Sequence, residues 1–177
     1  MSSADVNSQA STVGGLVGDN TGTLNRTYAT GDVRSPNSNS IGGLVGESGG
    51  LVNNSYATGR VNGYDSVGGL IGDAWSANVF NSYSTGSVQG VMNTGGLIEL
   101  VVSSTVTNSY WDTQTSGMGT SAAGVGKTTA EMMDPATFTN WDFTLVGDGT
   151  IGTWIMAGYP HLQMEHTTLI RSVVDLQ

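Results

Sequence analysis

Ile41-Gly42-Gly43-Leu44-Val45-Gly46, followed by Asn53-Asn54-Ser55-Tyr56-Ala57-Thr58-Gly59, is a pair of markers that this chain repeats. The first marker returns as Val13-Gly14-Gly15-Leu16-Val17-Gly18, Val67-Gly68-Gly69-Leu70-Ile71-Gly72 and Thr94-Gly95-Gly96-Leu97-Ile98-Glu99. Its leading glycine recurs at intervals of 28, 26 and 27 residues. The second marker keeps step, with Tyr28, Tyr56, Tyr83 and Tyr110 spaced by 28, 27 and 27. Two markers locked to one period describe a repeated supersecondary unit. Such a unit cannot bury its own apolar side and must stack on copies of itself.

Each period holds two or three apolar segments of strand length, bounded by Gly, Asn and Asp, and none with helical periodicity. About 27 residues suits one coil of a parallel β-solenoid, with coils ~4.8 Å apart and equivalent residues stacked in columns. The expected fold is therefore all-β: about four such coils over residues 1–112, closed by a C-terminal cap containing a short helix. A hairpin or blade array is the competing layout. It calls for recurrent two-residue Asn-Gly or Asp-Gly turns, and Asn62-Gly63 and Asp148-Gly149 do not recur in register.

The columns carry the expectations. Leu16, Leu44, Leu70 and Leu97 form one interior row, and Leu24, Val52, Val79 and Val106 another. The repeated glycines serve either positive φ or close backbone approach at a coil corner. Arg26, Asn54, Asn81 and Asn108 line up for a side-chain ladder that Arg26 begins. The tyrosines face inward if alternation from the valine row is strict, and outward if a bend intervenes.

Composition narrows the partners. Charged residues make up 11% of the 177, against about 25% in ordinary domains, and the repeated aliphatic positions argue against reading this as a disordered linker. The net charge of −9 and five scattered basic residues, Arg26, Arg34, Arg60, Lys127 and Arg171, give no basic footprint for nucleic acid. The acidic balance favours solubility and fits a salty exterior. No stretch approaches the roughly 20 apolar residues of a membrane span. The absence of cysteine leaves the compartment open, and no signal peptide is visible. Asp5-Val6 precedes Gly14 as Asp32-Val33 precedes Gly42, so the sequence begins inside a repeat and reads as a piece of a longer chain.

Residues 113–164 read as the cap. Trp111, Trp141 and Trp154, with Phe138, Phe143 and Tyr159, are expected to cover an open end of the core. Thr128-Thr129-Ala130-Glu131 matches a capping box and predicts a short helix that stops near Asp134-Pro135. Residues 165–177 read as an amphipathic tail or the start of a following segment, with Leu169, Ile170, Val173, Val174 and Leu176.

The Gly-Gly-Leu-Val-Gly core followed by Asn-Ser-Tyr-Ala-Thr-Gly resembles the GLUG repeat. That repeat recurs in large bacterial surface proteins, the filamentous-haemagglutinin-like adhesins, and in non-catalytic regions of some IgA-specific metallopeptidases. The resemblance covers residues 13–162, where Tyr110-Trp111-Asp112, Phe138-Thr139-Asn140-Trp141 and Gly158-Tyr159-Pro160-His161 are similar to the segment that closes such arrays. Copy four departs from the pattern, with Glu99 for the closing Gly and Trp111-Asp112 for Ala-Thr. The family is defined by its repeat and not by any chemistry. The resemblance implies an extracellular or cell-surface module, stalk or adhesive face, with no cofactor and no catalysis of its own.

Several constellations bear on function. Thr30, Thr58 and Thr85 form a hydroxyl column, a candidate ligand face for glycan or ice, although Thr is favoured in strands anyway. Asp19, Glu47 and Asp73 share a turn position and offer oxygen ligands for a weak Ca²⁺ site, or stand as a solvated edge. Gly124-Val125-Gly126-Lys127-Thr128-Thr129 resembles a phosphate loop, but Ser121 stands where that motif needs Gly. His161, Glu165 and His166 lack the spacing of a zinc protease. Asn25 and Asn53 sit in glycosylation sequons. Stacked coils with raw strand edges also predict head-to-tail self-association.

Overall fold

A computed structural model describes residues 1–143 and 152–166. Of the amphipathic tail expected over 165–177, residues 167–177 lie outside the described residues.

The chain winds into a parallel β-solenoid of about four coils. Each coil is cut into five short strands, where the sequence pattern indicated two or three. The first sheet stacks Thr12–Gly14, Ser40–Gly42, Val67–Gly68 and Thr94–Gly95. The second stacks Val17–Asn20, Val45–Ser48, Ile71–Trp75 and Ile98–Val102. The third holds Thr23–Asn25, Leu51–Asn53, Asn78–Phe80 and Thr105–Thr107. The fourth holds Tyr28–Ala29, Tyr56–Ala57, Tyr83–Ser84 and Tyr110–Asp112, extended by Val125–Lys127. The fifth holds Val6–Asn7, Val33–Ser35, Val61–Gly63 and Val88–Gln89. Every pairing between coils is parallel and in register.

The leucines stand in single file. Leu16, Leu44 and Leu70 each donate their N–H to the leucine carbonyl one coil on, at 3.0, 2.9 and 2.8 Å. Leu44, Leu70 and Leu97 are fully buried with Val52 and Val79, while Leu16, Leu24 and Val106 pack on this core from the terminal coils. A second interior lobe, between the first and fifth sheets, holds Val13, Ile41, Val67, Val33, Val61 and Val88.

The paired glycines pinch the coil between the two lobes. A Cβ at Gly43 would run into the Gly69 carbonyl oxygen of the next coil and the Ala57 methyl across the waist. Close approach is their role, since no tetrad glycine has a left-handed φ. The left-handed corner falls instead on Arg26, Asn54, Asn81 and Asn108, with φ of 55°, 48°, 46° and 48°. Asn tolerates this region better than most side chains. That corner breaks the alternation between the third and fourth sheets. Val52 and Ala57 both point inward, and Tyr56 between them points outward into a separate aromatic cluster.

The cap differs from its expected position. Trp141, Trp154 and Phe138 do not close the end of the core; they lie along the outer tyrosine flank with Met132 and Leu162. Trp111 alone joins the interior core. Its indole occupies the space over Gly96, where a Cβ would strike the ring. The end of the last coil is bridged by smaller residues. Thr120 and Ile98 carbonyls accept from Gly96 and Ala122 at 2.9 and 3.0 Å, and Ser121 Oγ accepts from Ile98 N at 2.9 Å.

Two short helices belong to the cap. α1, Thr113–Ser116, begins at Asp112 and ends at Gly117 with φ 72°; the sequence reading placed this stretch in the cap without a helix. α2, Thr129–Met132, has the predicted capping box with both reciprocal hydrogen bonds, and the chain leaves it through a 3₁₀ turn, Pro135–Thr137, capped by Asp134. An antiparallel pair, Trp154–Ala157 and Tyr159–Leu162, lays the last aromatics on the flank.

Candidate binding faces

Most polar columns are engaged in joining coil to coil. Where the backbone bends before each tyrosine, Ser55, Ser82 and Ser109 Oγ accept from the N–H of Thr27, Ser55 and Ser82, at 3.2, 3.2 and 3.3 Å. The same hydroxyls donate back to Asn53, Phe80 and Thr107 carbonyls. The hydroxyl row is thus a buried ladder that replaces strand pairing at the corner. The amide ladder runs from Asn81 to Asn54 to Asn25, at 3.5 and 3.3 Å. Arg26 does not begin it, because its guanidinium reaches Thr153 Oγ1 in the cap, at 3.2 Å. Of the sequon asparagines, Asn25 is exposed and Asn53 is half-buried.

Thr30, Thr58 and Thr85 stand in line on the coil stack, their N–H groups bonded to Ser2, Ala29 and Ala57 carbonyls. Their exposure is uneven: Thr30 is open, Thr58 half-buried and Thr85 buried.

Asp19, Glu47 and Asp73 are register partners in the second sheet. Asp73 is only 8% exposed, and Ser40 Oγ donates to its Oδ2 at 2.5 Å. Burial pushes its carboxyl above the ordinary range, and the charge of Asp65 adds to this against hydrogen bonds from Ser40 and Ser66. Burial likewise raises Glu99, with Asp73 and Asp65 adding to it. Among the described residues, no group of three or more His, Cys, Asp or Glu could hold a metal ion. The Ca²⁺ reading of this column therefore finds no cage.

The remaining motifs are structural parts of the cap. Val125–Lys127 adds a fifth strand to the tyrosine sheet, and Val125 N bonds Ser109 O at 3.0 Å, so the Gly-Lys-Thr segment forms strand and helix cap rather than a phosphate cradle. Glu165 accepts from the Tyr56 hydroxyl and from Leu162 N, both at 2.7 Å, and lies 3.4 Å from His161 Nδ1. Burial first, then this bond to Glu165, pushes the Tyr56 phenol up. The side chain of His166 lies outside the described residues.

Asp112, noted in the sequence only as a departure from the repeat, is the cap's hub. It is fully buried. Oδ1 accepts from Gln114 and Thr115 N, at 2.8 and 3.1 Å. Oδ2 accepts from the Thr129 and Tyr159 hydroxyls, at 2.7 and 2.6 Å. Burial alone would raise its carboxyl, but the four donors outweigh burial and hold it below its ordinary value of 3.8.

A further polar face lies on the outside of the fifth sheet. Val6, Val33 and Val61 point into the core, so their neighbours on both sides point out. Asn7, Arg34, Asn62 and Gln89 form one register row, with Asp5, Asp32 and Arg60 in the row beside it. Together they line an open groove of about 240 Å³. Sequence reading treated Arg34 and Arg60 as scattered. The available signal was the polar-Val-polar triplet, Asp5-Val6-Asn7, Asp32-Val33-Arg34 and Arg60-Val61-Asn62.

These features define a parallel β-solenoid repeat protein with an aromatic flank cap. Compared with known proteins, the chain matches no family model, no curated protein and no solved structure. Among the described residues, no helix is long and apolar enough to cross a membrane.

Proposed function

We propose that this chain is a non-catalytic structural module of a secreted or surface-attached bacterial protein, serving as a stiff stalk segment and as a repeated binding face. The observation that supports it best is the use of polar side chains. The serine and asparagine columns hydrogen-bond from coil to coil, so the polar groups nature would recruit for chemistry are engaged in holding the stack. Rigid coils add length cheaply, ~4.8 Å for each. An adhesin of the GLUG type is the parent that the sequence resemblance implies, and an accessory region of a surface peptidase is the second context it allows.

The strands Thr12–Gly14, Val17–Asn20 and Thr23–Asn25 stand at the ends of their sheets. Their free edges favour head-to-tail stacking of copies, which light scattering at high protein concentration tests; a strict monomer would count against it.

The stalk reading is tested by duplicating one coil, residues 41–66, within the chain. Small-angle scattering should show the long axis growing by ~4.8 Å per inserted coil, with the fold otherwise retained. An unchanged length, or hydrolysis of any polysaccharide in a substrate panel, defeats the reading.

A further inference from the structure

We infer that the outer face of the fifth sheet is a binding site for an acidic oligosaccharide, a hydroxyl-rich chain carrying single carboxylates such as uronate units. Arg34 and Arg60 are diagonal neighbours across adjacent coils, because Arg34 is the register partner of Asn62 and Arg60 stands two residues before it. Both are exposed. Among the described residues neither guanidinium has an ion-pair partner within 4.0 Å, in a chain of net charge −9. Two guanidiniums lining one groove supply planar N–H donors for a carboxylate.

The surroundings select against a bare or dense anion. Asp5 and Asp32 line the same groove. Each has Oδ1 engaged by a backbone N–H of the next coil, Asp32 N at 2.9 Å and Arg60 N at 2.8 Å. Their Oδ2 atoms take no hydrogen bond among the described residues. A phosphate or sulfate cluster would be repelled by these carboxylates, whereas sugar hydroxyls would donate to them. Asn7 and Asn62 add amide groups that can donate or accept, and Asn62 Nδ2 is held by Gln89 Oε1 at 3.1 Å. The groove also continues along the face. A second groove of about 360 Å³ adjoins it, shares Asn7 and Arg34, and continues past Ser8 to Pro36. Arg34 therefore lies at the junction, where a carboxylate flanked by sugar rings on either side would sit.

The inference rests on the binding-face half of the proposed function. The stalk half is judged separately by the added-coil experiment, so the two can fail independently.

The test is calorimetric titration of the whole chain with a galacturonic acid tetrasaccharide, its fully methyl-esterified form and a densely sulfated tetrasaccharide. The acid form should bind, and esterification should weaken binding at least about tenfold, since it removes the charge-assisted hydrogen bonds. The double variant Arg34→Gln, Arg60→Gln should lose a similar factor while keeping the wild-type circular dichroism and melting midpoint, because both residues are exposed. The inference is overturned by no binding of the acid form, by equal binding of acid and ester, by undiminished binding in the double variant, or by tighter binding of the sulfated chain.

Discussion

Leu44 and Leu70 are buried by copies of themselves one coil away. Tyr56 and Tyr83, on the outside of the same coils, are buried as completely, but by residues far along the chain. Tyr56 donates to Glu165, 109 positions on, and Tyr83 to the Pro160 carbonyl, 77 positions on. Trp154 Nε1 reaches back 100 positions to Asn54 Oδ1 at 3.3 Å. The tyrosine rings also stack on one another, 28 on 56 and 56 on 83, with centroids 5.0 Å apart. The interior is thus a sum of equal nearest-neighbour contacts, while the flank is a single docking event between a regular surface and an irregular partner.

This contrast can be broken at its root by Gly43→Leu. The waist has no room for a side chain against the Gly69 backbone, so both regions should fail together, seen as loss of the β signal in circular dichroism and of soluble yield. A comparison of Trp154→Ala with Leu70→Ala separates the regions. Each should cost about 3–5 and 2–5 kcal/mol respectively by large-to-small truncation. Trp154→Ala should release the cap, with rapid hydrogen exchange in residues 129–143, and leave the coils protected. Leu70→Ala should lower protection in the coils on either side of it. Equal loss everywhere in both variants would show that the flank and the interior are one cooperative unit.

Asp112 joins the two regions, and its removal comes next in size. Asp112→Ala leaves four donors without their acceptor and should cost about 3 kcal/mol. Its folded carboxyl is held below the ordinary value, so its contribution is complete above 3.8 and is lost as pH falls through the lower folded value. The gap between wild type and variant in denaturant midpoint should therefore narrow on acidification, and a constant gap would remove the charge from the account. The smallest effect is expected at Asp73, whose carboxyl is raised by burial. A raised carboxyl adds stability only when protonated, so the charged form is a cost that grows as pH rises through its folded value. Asp73→Asn should raise the denaturant midpoint at neutral pH, and not at about pH 3. Destabilisation at neutral pH would show that the Ser40 bond outweighs burial.

Much of this was legible in the residues. The leucine and valine rows are interior because identical side chains at one period must coincide when coils stack, and the Thr128–Glu131 box is a local signal read within four residues. The side on which the tyrosines lie was not legible, because alternation holds only along an unbroken strand and the left-handed corner at Asn54 resets it. The groove at Arg34 and Arg60 escaped for a related reason: the two residues occupy different columns and meet diagonally, so no single repeat position marks them.

The sequence by itself determined the period, the parallel stacking and the identity of the core columns, since these follow from burying repeated apolar groups against their own copies. Only the tertiary structure decided that the cap lies along the flank instead of over the end, and that Asp112 anchors it. Those outcomes depend on contacts between segments with no common period, where shape and hydrogen-bond geometry in three dimensions choose among partners that the linear order leaves equivalent.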